Sequence, residues 1–105
     1  MSDALPEALY QSMADLFALL AAPLRLRIVC SLSEGEQCVG ELARQLGAEQ
    51  STLSRHLAML YRGGVLGRRR QGAQVFYRVV DPRVEAVRRS VCDEIVCHRA
   101  TGHEA

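Results

Sequence analysis

The spacing of apolar residues changes at Gly63-Gly64, and that change restricts the chain to very few folds. Up to Arg62 apolar positions recur at helical intervals, from Val65 to Val79 the pattern suits strands, and after Asp81-Pro82 it becomes helical again. Leu9, Met13, Leu16, Phe17 and Leu20 form one stripe on a helix over residues 7–22. Pro23 suits the first turn of a second helix, because its missing N–H would have no partner there, and the segment to Leu32 is apolar nearly all round, as in a buried helix. A third helix is predicted over Val39–Leu46, stopped by Gly47, and a fourth over Gln50–Arg62. Val65–Arg70 and Ala73–Val79 read as two strands turning at Gln71-Gly72. Asp81 as N-cap and Pro82 at the first position open a last helix that carries Val84, Val87, Val91 and Ile95 to about His98. The expected fold is mainly α with a small β-hairpin: about five helices and a two-stranded wing.

At 105 residues the chain has room for one core, so residues 1–98 are expected to form a single domain and 99–105 a flexible tail. A body this small often gains stability by pairing, and its first and last helices would be the material for a homodimer. No apolar run is long enough to cross a membrane, and the N-terminus lacks the basic start of a secretory signal, so a cytoplasmic protein is expected. All thirteen basic side chains are Arg, and the net charge of +1 conceals their distribution. From Arg44 to Arg78 there are seven Arg against a single acid, Glu49, while the flanks are acidic. A near-neutral chain with a basic middle suits a polyanion contacted through one face.

Helix, three-residue turn, helix and hairpin form a helix-turn-helix with a wing. The helix over 39–46 would brace the helix over 50–62, whose N-terminal residues Gln50, Ser51, Thr52, Ser54, Arg55 and His56 would enter a major groove while Leu53, Leu57 and Leu60 face inward. Arg55 can fork onto a guanine edge and Gln50 onto adenine, and short polar side chains at a helix N-terminus can donate to phosphate. Arg68, Arg69 and Arg70, beside the hairpin turn, would lie along the backbone or minor groove. These features point to double-stranded DNA as the partner. A winged helix that binds only protein is disfavoured by the Arg-rich wing. An enzyme is disfavoured because no Gly-rich phosphate loop, carboxylate pair or nucleophile elbow is present, and no cofactor is expected.

The segments LAAPLRLRIVCSL, CVGELARQLGAEQSTLSRHLAML and GVLGRRRQGAQVFYRV resemble consecutive motifs of the ArsR/SmtB repressors, from about Leu16 to Val96. The resemblance implies a homodimer joined through its first and last helices, bound to an operator of two-fold symmetry and released by a small inducer. It also implies base and phosphate contacts from Gln50, Ser51, Ser54, Arg55 and His56. Glu49 stands where the family usually has a Ser capping the reading helix, and Glu is a weak cap.

Four thiols, Cys30, Cys38, Cys92 and Cys97, are not arranged as Cys-x-x-Cys pairs. Three roles for them follow from the resemblance. The phrase RLRIVCSLSEGEQCVGEL is similar to the persulfide-sensing subgroup, which implies Cys30 paired with Cys97, or with Cys92 as the fallback, and bridged by reactive sulfur. The soft-metal members carry a C-V-C-D-like segment, here Cys38-Val39-Gly40-Glu41 with one thiol missing, which leaves Cys38, Cys92 and Cys97 as an alternative arsenite, cadmium or mercury set. Other relatives build a zinc or nickel site on the last helix. Asp81 matches its first ligand and Glu94 and Cys97 fall at the later pair, but Arg83 replaces a histidine and cannot ligate.

Overall fold

The computed structural model describes residues 5–100, with side chains in the last helix described as far as residue 93. The chain folds as α1 (Glu7–Leu20), α2 (Pro23–Leu32), β1 (Gln37–Cys38), α3 (Val39–Leu46), α4 (Gln50–Arg62), β2 (Leu66–Gln71), β3 (Gln74–Val79) and α5 (Pro82–Ala100). The second, third and fourth helices lie where the sequence places them, because their ends carry local signals. Pro23 sits in the first turn of α2, and Gly47 closes α3 with φ 64°, a left-handed backbone that costs glycine little. Helix α1 is shorter than expected, ending at Leu20, and α5 is longer, so of the expected tail only the part after Ala100 lies outside the described residues.

The hairpin differs in two respects. Its turn sits at Gly72-Ala73 rather than Gln71-Gly72, and Gln71 pairs with Gln74. Only Gly72 has a positive φ, 65°, and a two-residue turn with glycine at its first central position twists with the strands it joins. The hairpin of the wing is two-stranded as expected, but a third short strand joins its sheet. Gln37 and Cys38 pair with Tyr77 and Phe76, so the order is β1-β3-β2, all antiparallel. The residues just before α3 are thereby attached to the wing.

Leu53, Leu57 and Leu60 of α4 are fully buried, with Ile28 and Val29 from α2, Leu42 from α3, Val65 and Leu66 at the hairpin base and Val84 from α5. This single core fixes α4 against α2, α3 and β2, so the outward face of the reading helix is set by its inward leucines. Contrary to its apolar sequence, α2 is covered on one side only. Its Leu26 is 48% exposed, as are Phe17 of α1 (54%) and Val91 of α5 (52%).

Candidate nucleic-acid interface and thiol pocket

The leading end of α4 carries Gln50, Ser51, Ser54 and Arg55 exposed, with Thr52 and His56 half-buried. The Nδ1 of His56 is enclosed and has no hydrogen-bond partner among the described residues, so this side chain is less open to DNA than its neighbours. No side chain caps α4 at Glu49, whose backbone is extended, so its first N–H groups are free to donate to a phosphate. Between this end of α4 and the tip of the wing lies an open cleft of about 560 Å³, walled by Arg44, Gln50, Ser54, Gln74 and Phe76 among others. Arg44, in the last turn of α3, was not singled out as a contact residue in the sequence, yet it shares this cleft with Gln50.

The three wing arginines are all exposed, but they are not equivalent. Alternation along β2 places Arg69 on one face of the sheet and Arg68 and Arg70 on the other. Arg69 Nε donates to both carboxylate oxygens of Glu36 at 3.0 Å, its Nη2 donates to Oε1 at 2.8 Å, and its Nη1 donates to Gln71. Its guanidinium lies 4.8 Å from the Phe76 ring centre, and Arg78 reaches the same carboxylate at 4.0 Å. The hydrogen bonds from Arg69, with its charge and that of Arg78, hold the Glu36 carboxyl below the usual range. Arg68 stacks over Tyr61 at 4.0 Å. Arg70 makes no hydrogen bond or ion pair among the described residues and is the arginine nearest the turn. Glu36 was not foreseen as a partner of the wing, since 33 residues separate it from Arg69.

Cys38 is 7% exposed and caps α3. Its side chain accepts from the Glu41 backbone N–H, while Glu41 Oε1 accepts from the Cys38 N–H at 3.3 Å, a reciprocal capping box. Cys30 and Cys92 lie elsewhere, together. Both line a cavity of about 440 Å³ between α1, α2 and α5, whose wall is otherwise Phe17, Leu26, Val91 and similar apolar side chains, with Arg88. Burial pushes the Cys30 thiol above its ordinary range, and the adjacent Cys92 thiol pushes it further through charge and hydrogen bonding. Arg88 opposes this weakly, being paired with Glu85 at 2.8 Å, whose other oxygen is bonded to Ser33 of α2 at 2.8 Å. The structure therefore brings Cys92, the fallback, beside Cys30. The thiol of Cys97 lies outside the described residues.

Asp81, which matches the first ligand of the zinc or nickel set, meets a guanidinium instead. Arg83 Nε and Nη2 donate to its two oxygens at 3.1 and 2.7 Å and hold its carboxyl below the usual range. Among the described residues, no three His, Cys, Asp or Glu side chains are grouped closely enough to hold a metal. No described helix is long and apolar enough to cross a membrane.

Residues 22–66 match the family model described as "Bacterial regulatory protein, arsR family". The chain is 45% identical over 81 residues to the arsenical resistance operon repressor of Escherichia coli, covering 76% of this chain and 68% of that protein. The chain belongs to the ArsR family. Its members are DNA-binding transcriptional regulators rather than enzymes, and α3, α4 and the β2–β3 hairpin are their winged helix-turn-helix. A second ArsR-family relative, the biofilm growth-associated repressor of Xylella fastidiosa, is 44% identical over 70 residues, covering 67% of this chain and 61% of that protein. The solved structure of HlyU from Vibrio cholerae superposes with a TM-score of 0.76 at 34% identity, covering 90% of this chain and 97% of that one.

Proposed function

We propose that this ArsR-family chain is an operator-binding repressor that acts as a homodimer and leaves DNA when reactive sulfur bridges Cys30 and Cys92. The juxtaposition of these two thiols carries the reading. They sit on α2, which packs against the reading helix, and on α5, one of the two helices expected to join the dimer. A sulfur bridge would tie α5 to the body that carries α4, and a small displacement there changes how two reading helices fit successive major grooves. That a neighbour, HlyU of Vibrio cholerae, is described in a reduced form agrees with thiol chemistry in this fold. The arsenite reading has less support, because Cys38 is committed to capping α3 and its neighbour Glu41 shares that task.

The reading implies that Gln50, Ser51, Ser54 and Arg55 meet base edges and phosphates, with Thr52 and His56 at the margin. The test is operator binding by fluorescence anisotropy with and without a persulfide donor. Coupling of about 1–3 kcal/mol corresponds to a roughly 5–150-fold loss of affinity on treatment. Cys30→Ser and Cys92→Ser should each bind the operator yet stay bound in the presence of the donor, while Cys38→Ser should be released like the parent. A Cys30→Ser protein that responds fully, beside a Cys38→Ser protein that does not, would sink the dithiol mechanism. In the same assay Arg55→Ala should relax base preference at one position per half-site by about 1–3 kcal/mol.

A further inference from the structure

One face of the wing is apolar at its base and charged further out, and Arg68 stands where the two meet. Residues directly opposite in an antiparallel pair share a face. Leu66 pairs with Val79, Arg68 with Tyr77 and Arg70 with Val75. Leu66 and Tyr77 are buried and Val75 and Val79 pack against the core, so this is the face that the sheet turns toward the helices. The Arg68 guanidinium lies 4.0 Å from the ring centre of Tyr61, in the last turn of α4. Among the described residues it has no carboxylate partner, unlike Arg69.

Val65 and Leu66 fix the base of the hairpin in the core. The link from α4 to that base is Gly63-Gly64, with φ 83° at Gly64, and glycine restricts a backbone least. Beyond the base, every residue of β2 from Arg68 to Gln71 is exposed. The angle of the outer hairpin therefore depends on contacts along its length. Strand β1 holds the edge of β3, and Glu36 holds Arg69 and Arg78 on the outer face. On the face toward the reading helix the contact is Arg68 on Tyr61.

We propose that Arg68 is a positioning residue: laid on Tyr61, it fixes the angle at which the wing leaves the reading helix, and its guanidinium serves that ring rather than a phosphate. The inference rests on operator binding and is independent of the thiol switch. An operator must meet the reading helix and the wing tip together. Without the strut the wing spends part of its time at other angles, and affinity falls in proportion to the fraction left competent. Once bound, the complex makes the same contacts, so the salt dependence, which counts neutralised phosphates, does not change.

The test pairs fluorescence anisotropy over a salt series with amide hydrogen exchange of the DNA-free protein. The probe is a duplex that the parent protein selects from a random-sequence pool. Tyr61 is 37% exposed and Arg68 is exposed, so substitution at either spares the core. Tyr61→Leu keeps Arg68 and removes the ring. It should lower affinity roughly two- to fivefold, the factor expected for an exposed cation–π contact, with an unchanged salt slope and faster exchange along β2 and β3. Tyr61→Phe keeps the ring face and should match the parent in all three. Arg68→Met should weaken binding as Tyr61→Leu does, and the double variant should be no weaker than either single one. A Tyr61→Leu protein that binds as tightly as the parent, beside an Arg68→Met slope flattened by about 0.9, would overturn the proposal and make Arg68 a phosphate contact. Equal losses in Tyr61→Phe and Tyr61→Leu would also overturn it, because the ring face would not be what holds the wing. If the parent selects no duplex, the repressor reading fails, and the exchange rates alone decide whether Arg68 and Tyr61 fix the wing.

Discussion

The DNA-facing side of the molecule and the cavity between α1, α2 and α5 use the same residue types in opposite ways. On the first side reactive groups have structural tasks. Cys38 caps α3, and Arg69 is held by Glu36, Gln71 and Phe76. In the cavity, among the described residues, Cys30 and Cys92 face each other, an apolar wall and Arg88. A thiol or guanidinium already engaged by the fold cannot be diverted to a ligand without giving up that contact, which is why the proposed signalling and DNA roles fall to residues the fold does not use. Arg70 stands to Arg69 as Cys30 stands to Cys38.

That contrast can be broken most directly at Cys38. Cys38→Ala removes a weak sulfur acceptor at the N-terminus of α3 and should cost about 0.5 kcal/mol, the low end of the range for truncated oxygen-bearing caps. Cys38→Ser supplies a better acceptor and should recover most of the loss in urea unfolding. Were Cys38→Ala as stable as the parent, the thiol would not be engaged as described, and its exclusion from signalling would lose its physical basis.

The state of Cys30 sharpens the comparison from the other side. Its thiol pKa is raised, first by burial and then by Cys92, so alkylation of Cys30 should rise with pH through a midpoint above that of an ordinary cysteine. Removing the second thiol in Cys92→Ser should lower that midpoint, though not to the ordinary value, because the burial persists. The sign for stability follows: a folded-state pKa above the unfolded one favours the folded protein while the thiol stays protonated. That contribution is lost as pH rises through the folded-state value. Peptide mapping of iodoacetamide-treated protein across a pH series would read the midpoint, and one that does not move in Cys92→Ser would mean that the two thiols do not interact.

The smallest effect is expected on the wing. The sequence alone makes Arg69 a phosphate contact, but its exposed bond to Glu36 already satisfies it, so Arg69→Ala should change the salt dependence of operator binding little. Arg70→Ala should flatten it by about one phosphate, a change of roughly 0.9 in the slope of log affinity against log salt. Glu36→Gln, which releases Arg69, should steepen it. Equal slopes for Arg69→Ala and Arg70→Ala would show that the Glu36 contact gives way on DNA.

What could be read from the sequence is what neighbouring residues decide. Pro23 and Gly47 bound their helices through backbone preferences that operate over a single turn, and Leu53, Leu57 and Leu60 orient α4 by spacing alone. The family, and with it the winged helix, was legible in the same way, from motifs that follow one another along the chain. Strand β1 was not legible, because two residues have no period. They are a strand only because Tyr77 and Phe76, far along the chain, supply the partners. The same dependence on distant segments brings Glu36 to Arg69. It also brings Cys92 beside Cys30. Cys92 and Cys97 are separated by little more than one helical turn, so spacing and resemblance could rank them but not choose. Where α5 passes α2, Val84 fully buried in the core and Glu85 bonded to Ser33 fix the start of the helix, and with it the place of Cys92 beside Cys30.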